Sequence, residues 1–299
     1  MNILITGSSG FLGRYVLNAL REKQCQIMTM GRSTGNLLSI DFSKEIPVLN
    51  HPYDYVIHAA GLAHVMKASR SNDYLFDLVN YQGTKNIGRA FENLGVFPKQ
   101  LVFISSVAVY GLEEGWDIDE SFPLNGYSPY AISKIKAEEF LLEWGEKWGV
   151  QILILRLPLV AGINPLGNLG RMIKAIHKGT YFSIGGGQAK KSMVLAEDIA
   201  QLLKDLPVKR GIYNLTDGIH PSFRQLEEVI CRQLEKRNPF DFPEVPARIV
   251  AKLGDFLPLF PLNSATLNKM TRHLTFSDRK AREQLHWKPN SVLDKWSIQ

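Results

Sequence analysis

The sequence predicts an α/β protein with a doubly wound parallel sheet and a smaller second domain. Short apolar runs alternate with longer amphipathic stretches through the first half of the 299-residue chain, as in sheets covered by helices on both faces. The runs are nearly continuous in Ile, Leu and Val, which is typical of strands buried on both sides. A glycine-rich turn directly follows the first run. These observations favour an open parallel sheet, which places its ligand sites at the carboxyl ends of the strands.

The elements of the first half follow from the spacing of apolar residues. The apolar runs predict strands at Asn2–Thr6, Gln26–Met30, Tyr55–His58, Gln100–Ser105 and Gln151–Leu157. Amphipathic stretches predict helices at about Gly10–Lys23, Asp73–Leu94 and Pro129–Lys147.

The pattern changes beyond about Gly162. Loops lengthen, three glycines occur at 185–187, and Pro-rich segments interrupt the helices. We interpret this part as a smaller, less regular domain that covers the open end of the sheet. A helix around Asp198–Leu206 and a strand near Tyr213 predict that the chain returns to the first domain. The predicted division is 1–162 with 188–216 for the first domain, and mostly 163–187 and 217–299 for the second.

Composition excludes several classes of protein. Cys25 and Cys231 lie far apart and outside any metal-binding spacing, so we expect neither disulfides nor a metal site, and a reducing cytoplasm. The sequence starts without the pattern of a signal peptide. The net charge is +6, but the Lys and Arg residues are scattered, which argues against nucleic acid. The most apolar run, 150–163, is too short to span a bilayer. The FLPLF stretch around Pro258 could make a weak contact with a membrane surface.

The glycine turn predicts a phosphate site. Gly7, Gly10 and Gly13 directly follow the first strand and open a helix. Gly7 permits the tight turn, Gly10 lets backbone N–H groups approach a pyrophosphate, and Gly13 lets the helix pack closely. The helix N-terminus adds a positive partial charge where the phosphates would lie. This context predicts dinucleotide binding.

The end of the second strand bears on which dinucleotide is bound. The acidic residue that usually holds the ribose 2′-hydroxyl of NAD is replaced here by Gly31 and Arg32. Arg32 can pair with a 2′-phosphate, which favours NADP slightly over NAD. Alternatively, Arg32 is a solvated loop residue or stacks on adenine. Asp41 could accept a hydrogen bond from the adenine amino group.

A second motif predicts acid–base chemistry. Tyr130 and Lys134 lie one turn apart on one face of a helix. A free tyrosine, with a pKa of about 10, is a poor base at neutral pH; a nearby ammonium together with an oxidised nicotinamide would lower that pKa. Ser106, and with it Ser105, ends a strand at the ligand edge of the sheet. The Ser106 hydroxyl could hydrogen-bond a substrate oxygen that alternates between alcohol and ketone.

These motifs together resemble the extended short-chain dehydrogenase/reductases, in particular the nucleotide-sugar epimerase/dehydratase/reductase group. The resemblance runs nearly end to end and rests on TGSSGFLG, HAAG at 58–61, NYQGTKN at 80–86, SSVAVYG, YAISK, RLPLVAG at 156–162 and the tail SDRKAREQLHWKP. It implies a Rossmann NAD(P)-binding domain followed by a substrate-binding domain, with Ser106, Tyr130 and Lys134 as catalytic residues.

The resemblance also implies binding residues and partners. The cofactor would contact Gly7, Ser9, Gly10, Phe11, Leu12, Arg32, Asp41, Phe42, Ala59, Ala60, Gly61, Asn80, Ser105, Tyr130, Lys134 and Leu157. A nucleotide-diphosphate sugar would contact Ser106, Asn168 and Lys191, although the family commonly has arginine where Lys191 stands. His58 and His64 are interpreted as structural. The helices at Asp73 and Pro129 are the pair through which this family forms homodimers.

One departure from the family narrows the reaction. Dehydratases of the group carry Thr, Asp and Glu after the serine, whereas this chain has Val107, Ala108 and Val109, which cannot transfer a proton. The sequence therefore predicts an enzyme acting at C4 of the sugar, either a 4-epimerase or a 4-keto reductase of the kind found in bacterial polysaccharide synthesis. Arg32 and the short chain favour the reductase. The alternative is a non-catalytic dinucleotide-sensing protein, which would not need Ser106, Tyr130 and Lys134 together.

Overall fold

The predicted parallel sheet is present in the computed structural model, which describes residues 1–63, 73–205, 208–256 and 262–298. Seven parallel strands form the central sheet in the order β11-β7-β5-β4-β1-β2-β3. They are β1 (Asn2–Thr6), β2 (Gln26–Gly31), β3 (Leu38–Ser39), β4 (Tyr55–His58), β5 (Gln100–Ser106), β7 (Gln151–Leu157) and β11 (Gly211–Asn214). This confirms the doubly wound Rossmann architecture.

Three short parallel pairs lie outside the central sheet. They are formed by β6 (Gly115–Ile118) with β13 (Leu274–Phe276), β8 (Leu159–Ala161) with β10 (Met193–Leu195), and β9 (Ser183–Ile184) with β12 (Asp241–Phe242). Strands of two to four residues are too short for apolar periodicity to predict. The domain division at 1–162 and 188–216 stays a prediction.

Eleven α-helices occur in the described ranges. They are α1 (Phe11–Arg21), α2 (Tyr74–Phe76), α3 (Gly83–Leu94), α4 (Pro129–Trp148), α5 (Gly167–His177), α6 (Ala196–Asp205), α7 (Phe223–Gln233), α8 (Glu244–Gly254), α9 (Ser264–Thr271), α10 (Arg279–Leu285) and α11 (Val292–Lys295). The helix predicted at Asp73–Leu94 consists of α2, a π-helical segment at Asp77–Gln82, and α3. π-Helical turns of this kind occur frequently at functional sites, and this one contains Asn80.

The sheet is packed on both faces, which is why its strands are apolar throughout. On one face, strand residues such as Ile5 and Leu155 are fully buried with Val16 of α1 and Ile199 of α6. On the other face, the strands pack on α3 and α4, with Phe91 and Leu141 fully buried. Burial on both faces fixes the register of the strands and therefore the positions of their carboxyl ends.

Helix α4, which carries the predicted Tyr–Lys pair, has well-defined ends. The Ser128 hydroxyl accepts a hydrogen bond from the Ala131 N–H, and Pro129 occupies the first turn, where its missing N–H is not needed. The helix ends at Gly149, which has a φ of 70°, a left-handed conformation that favours glycine. These ends fix where Tyr130 lies on the helix: in its first turn, beside the sheet.

Two sequence interpretations fall on residues outside these ranges: His64, and most of the FLPLF stretch around Pro258. Among the helices that the structure describes, none combines the length and the apolar character needed to cross a bilayer.

Candidate active site

The glycine turn after β1 lies directly against the loop that follows β4. Gly7 has a φ of 74°, and a Cβ atom there would fall 2.5 Å from the Ala60 backbone nitrogen. A Cβ on Gly13 would fall 2.0 Å from the Gly7 carbonyl oxygen. Only glycine fits at either position, so the predicted reasons for these two glycines hold.

The turn leaves the start of α1 open to an anion. Gly10 is the N-cap of α1 and has no side chain that could accept hydrogen bonds from the first-turn N–H groups. A Cβ on Gly10 would meet only the Gly7 carbonyl oxygen, at 3.1 Å. Ser9 is exposed, and Phe11 and Leu12 are half-buried. Unpaired N–H groups at an accessible helix N-terminus fit a pyrophosphate, so the residues present fit a dinucleotide.

The loop after β2 contains a residue that sequence reasoning missed. Asn36 is buried, and its side-chain oxygen accepts a hydrogen bond of 2.8 Å from the Ser8 hydroxyl in the glycine turn. A Cβ on Gly31 would lie 3.2 Å from the Asn36 amide nitrogen. Asn36 therefore fills the space beside Gly31, while Arg32 is exposed at the same end of β2. No spacing in the sequence links position 36 to Ser8.

Two residues predicted to contact the cofactor have side chains engaged elsewhere. One Asp41 carboxylate oxygen accepts hydrogen bonds from the backbone N–H and the hydroxyl of Ser43, at 3.2 and 2.5 Å. The Phe42 ring is buried, and a Cβ on Gly83 would lie 3.1 Å from it. The Phe42 carbonyl oxygen accepts from Asn86. Any contact between Phe42 and a cofactor would therefore use the Phe42 backbone N–H.

His58 is a structural residue at the centre of a hydrogen-bonded chain. Its Nδ1 lies 2.6 Å from the Thr6 hydroxyl, and its Nε2 lies 2.9 Å from the Thr84 hydroxyl. Thr84 donates to the Asn80 carbonyl oxygen, so its oxygen accepts from Nε2–H, which leaves Nδ1 to accept from Thr6. Burial, and next the charge of Lys134, lower the pKa of His58 to about 3. The ring is therefore neutral and held on both sides.

Asn80 connects this chain to the predicted catalytic helix. Its side-chain oxygen accepts from the Leu62 N–H at 2.7 Å, and its side-chain nitrogen donates to the Leu62 carbonyl and to the Ser133 hydroxyl, at 3.0 and 2.9 Å. Ala59 and Ala60 are half-buried next to it, and Gly61 is exposed. Asn80 thus holds the loop after β4 in place beside α4.

Ser106 and Tyr130 meet at the carboxyl edge of the sheet. Ser106 ends β5, and its hydroxyl accepts a hydrogen bond of 3.2 Å from the Ala108 N–H. Burial raises the pKa of the Tyr130 phenol, and a hydrogen bond with the Ser106 side chain opposes this. The Phe76 ring packs edge-on against the Tyr130 ring, with centroids 6.0 Å apart. The side chains of Ser106 and Tyr130 therefore lie close together at this edge of the sheet.

Lys134 lies one turn below Tyr130 and is almost fully buried. Its ammonium donates to the Ile104 carbonyl oxygen at 2.8 Å and lies 4.5 Å from the centroid of the Phe103 ring. Burial lowers the pKa of Lys134 to about 8, and the Glu138 carboxylate opposes that shift. A Cβ on Gly61 would lie 3.2 Å from the ammonium nitrogen, so the loop after β4 passes directly over this charge.

Below Lys134 lies a buried ion pair that the sequence did not reveal. Arg156 of β7 and Glu138 of α4 are 2% and 1% exposed, and the guanidinium Nη2 lies 2.6 Å from the carboxylate. Arg156 also donates to the Tyr110 hydroxyl at 3.0 Å. Ser105 donates to Glu138, so any cofactor contact of Ser105 would use its backbone. The predicted contact Leu157 ends β7 and is buried in the core.

The two residues predicted to contact only the substrate, Asn168 and Lys191, both follow residue 162 in the chain. Asn168 is exposed in the first turn of α5, where its side-chain oxygen accepts from Arg171 at 2.7 Å. Lys191 is buried just before β10 and pairs through its backbone with Leu274. Burial, and then the nearby charge of Lys269 on α9, lower the pKa of Lys191 to about 8. Lys269, which is exposed, is a nearby cation that the sequence analysis did not name.

The segment after Ser106 agrees with the exclusion of dehydration. Val107–Tyr110 forms a short 3₁₀ helix in which Val109 is fully buried. None of the three residues that replace the Thr, Asp and Glu of the dehydratases carries a titratable group. Val107, Ala108 and Val109 therefore add no proton-transferring group to Ser106, Tyr130 and Lys134.

The fold, the glycine turn and the Tyr130–Lys134 pair are those of a dinucleotide-binding enzyme of the Rossmann class. The model of the NAD dependent epimerase/dehydratase family matches residues 3–207. The chain therefore belongs to this family.

Individual relatives agree with this membership. The chain is 30% identical over 254 residues, 80% of this chain and 74% of the other, to the N-acetyl-alpha-D-glucosaminyl-diphospho-ditrans,octacis-undecaprenol 4-epimerase of Escherichia coli O157:H7. The fold is similar to that of UDP-glucuronic acid 4-epimerase from Bacillus cereus, solved with UDP-glucuronic acid and NAD (TM-score 0.77, 17% identity, 99% and 96% of the chains covered). It is also similar to RMD from Pseudomonas aeruginosa, complexed with NADPH (TM-score 0.75, 19% identity, 99% and 96% covered).

We predict that Glu138→Gln destabilises the protein by about 3–5 kcal/mol, because it leaves the Arg156 charge buried without a counter-ion. The double variant Glu138→Met with Arg156→Met removes both charges and should recover most of that loss. Urea unfolding of the three proteins measures the difference. A Glu138→Gln variant as stable as the wild type would contradict the account.

We also predict that stability falls as the pH is lowered from about 6.5 towards 3. The pKa of His58 is about 3 in the folded protein and about 6.5 in the unfolded chain, so the unfolded state binds the extra proton in this window. Urea unfolding at several pH values should give a shallower slope for His58→Gln than for the wild type. Equal slopes above pH 5, where few carboxylates titrate, would show that His58 does not contribute.

Proposed function

We propose that the protein is an NAD(P)-dependent enzyme that oxidises or reduces C4 of a sugar carried on a diphosphate. The observation that carries the proposal is that Ser106 and Tyr130 face one point at the sheet edge, with the Lys134 ammonium one turn away. Family membership supports the proposal. A protein that only senses dinucleotides would have no use for this arrangement.

Each residue has a distinct part in the proposed reaction. Bound NAD(P) would supply the hydride acceptor or donor. The Tyr130 hydroxyl holds or receives the proton of the C4 oxygen, and the Ser106 hydroxyl hydrogen-bonds that same oxygen as it alternates between alcohol and ketone. Lys134 keeps a positive charge in a buried place, which favours the tyrosinate form. Half-burial of Tyr130 keeps water away from the reacting oxygen.

Two candidate reactions differ in the cofactor and in the direction of hydride transfer. Exposed Arg32 at the end of β2, with Asn36 filling the space beside Gly31, supports a cofactor carrying a 2′-phosphate. A 4-keto reductase would use NADPH in one direction. A 4-epimerase would retain NAD and return the hydride to the other face of the ketone. The C4 reaction and the residues are the same for both.

The diphosphate carrier also has two candidates. The buried Lys191 ammonium, with the charge of the exposed Lys269 nearby, supports an anionic diphosphate as the recognised group, and a nucleotide would supply it. The similarity to an enzyme whose substrate is linked to undecaprenol diphosphate favours a polyprenyl diphosphate as the second candidate. The sugar ring and its C4 hydroxyl would lie at the same place in either case.

We further propose a homodimer in the cytoplasm. Ile132 and Leu142 on α4 are 40% and 39% exposed and Tyr74 of α2 is 63% exposed, which gives these helices an apolar surface to bury against a second copy. Cys25 and Cys231 are both free thiols, which suits a reducing compartment. Sedimentation velocity on the purified protein would measure the oligomeric state.

We predict that Tyr130→Phe lowers kcat by about 10²–10⁴-fold, because it removes the positioned proton donor. The matched control is Tyr127→Phe, since Tyr127 is 69% exposed and should leave kcat unchanged. Activity is measured on UDP-linked and polyprenyl-diphosphate-linked N-acetylhexosamines, with NAD and NADP(H), by following the nicotinamide absorbance and the sugar products. Full activity of Tyr130→Phe would overturn the assignment.

Analysis of the cofactor separates the two reactions. The purified protein is denatured, any released dinucleotide is identified, and the emptied protein is titrated with NADH and NADPH. Tightly retained NAD⁺ indicates an epimerase, and a protein that is purified empty and prefers NADPH indicates a reductase. A protein that binds dinucleotide but converts none of these sugars would favour the sensor alternative.

A further inference from the structure

The chain leaves β8 through a segment, residues 162–168, that ends at the predicted substrate contact Asn168. Ala161 before the segment and Leu169 after it are buried in the same apolar cluster. Most of the segment itself is exposed, and Leu166 is 64% exposed. Apolar packing therefore holds the two ends of the segment, and the path between them depends on hydrogen bonds to its backbone.

A tyrosine of α1 holds the start of this segment. The Ile163 N–H donates to the Tyr15 hydroxyl at 2.6 Å. Burial raises the pKa of Tyr15, the hydrogen bond from Ile163 opposes that shift, and the Glu197 carboxylate in the first turn of α6 adds to it. The hydroxyl therefore stays protonated, so it can donate towards Glu197 while it accepts from Ile163. One phenol thus joins α1, α6 and the segment.

The segment also lies in direct contact with α1. A Cβ atom on Gly162 would fall 2.7 Å from the Tyr15 hydroxyl oxygen and 3.1 Å from the Phe11 ring. On its other side, the Gly162 carbonyl oxygen accepts a hydrogen bond of 3.1 Å from the Trp296 indole N–H. Only glycine fits at this position, because the backbone approaches α1 so closely.

The residues that contact the segment lie at the dinucleotide end of α1. Phe11 is the first residue of the helix, so its N–H is one of the unpaired groups that fit a pyrophosphate. Its ring packs edge-on against the Tyr15 ring, with centroids 5.7 Å apart. Helix α1 itself is packed on the sheet through Val16 and Leu20. The segment is therefore held in a fixed relation to the place where the dinucleotide binds.

We propose that Tyr15 is a positioning residue that preorganises segment 162–168, and with it Asn168, for the diphosphate of the substrate. A segment already held in its binding position loses little freedom when the ligand binds, whereas a loose segment is ordered at the expense of affinity. Because Tyr15 lies on the dinucleotide helix, the same hydroxyl sets the position of the substrate segment relative to the cofactor. The part played by Asn168 rests on the proposed function, whereas the contact of Tyr15 with the segment does not.

Hydrogen exchange tests this contact without substrate. Exchange of peptides that cover 162–168 is measured by mass spectrometry for the wild type and for Tyr15→Phe, which removes only the hydroxyl. Loss of the acceptor for the Ile163 N–H should speed exchange by about three- to tenfold, the effect of one hydrogen bond. The matched control is Tyr213→Phe, because the Tyr213 hydroxyl also bonds a backbone carbonyl, that of Arg210, at 3.2 Å, but lies on β11. It should leave exchange of 162–168 unchanged.

Steady-state kinetics test the consequence for the substrate. Tyr15→Phe should raise KM for the diphosphate-linked sugar by about three- to tenfold. It should leave kcat and the Kd of the dinucleotide unchanged, because the catalytic residues and the glycine turn are intact. Gly162→Ala, which pushes the segment away from Tyr15, should raise KM in the same way, and Tyr213→Phe should not.

A purely structural role for Tyr15 predicts a different result. It would lower the thermal midpoint of Tyr15→Phe as Tyr213→Phe does, with no change in KM or in exchange of 162–168, and that result would overturn the proposal. Protein that shows the exchange effect but converts no sugar would refute the proposed function and leave the contact of Tyr15 with the segment intact. Protein that converts the sugar with the same KM in the wild type and in Tyr15→Phe would refute the positioning role alone.

Discussion

The buried ion pair between Glu138 and Arg156 is the constraint on which the candidate site depends. It joins α4, which carries Tyr130 and Lys134, to β7, the neighbour of β5 in the sheet. Ser105 donates to the same carboxylate from β5, so the neighbour of Ser106 is tied to the same point. A buried charge pair tolerates little displacement, because any separation leaves two charges in a medium of low dielectric. The ion pair therefore fixes the distance between Ser106 and Tyr130.

A second, neutral network fixes the other side of the site. The chain from Thr6 through His58 and Thr84 to Asn80 links the strand before the glycine turn to the loop over Lys134. The glycine turn and α4 are thus connected to each other through β1, β4 and Asn80. Proton transfer requires accurately positioned groups. Supporting residues that are themselves held in place provide that positioning.

The sequence predicts the parts of the fold that rest on local pattern. The β1, β4 and β7 runs have the predicted bounds, because strands buried on both faces must be continuously apolar. Tyr130 and Lys134 share a helix face because four residues make about one turn. The glycines at 7 and 13 follow from steric needs that hold in any fold with this turn.

The other features of the site could not be predicted, because they depend on contacts between residues that are far apart in the sequence. The partner of Arg156 lies 18 residues away on another element, and no periodicity shows which of several glutamates it is. Asn36 contacts Ser8, and Lys269 lies near Lys191. Folding brings each of these pairs together from distant parts of the chain.

We propose that the ion pair and the neutral network hold Tyr130 in a position where it ionises near neutral pH when the oxidised cofactor is bound. In the structure, burial raises the pKa of Tyr130 although the Ser106 side chain opposes this, so an added positive charge is needed to lower that pKa. An ultraviolet difference titration of tyrosinate in the complex with NAD⁺ or NADP⁺ measures this directly. The account predicts one phenol that titrates near neutral pH in the wild type and is missing in Tyr130→Phe. Identical titration curves for the two proteins would contradict it.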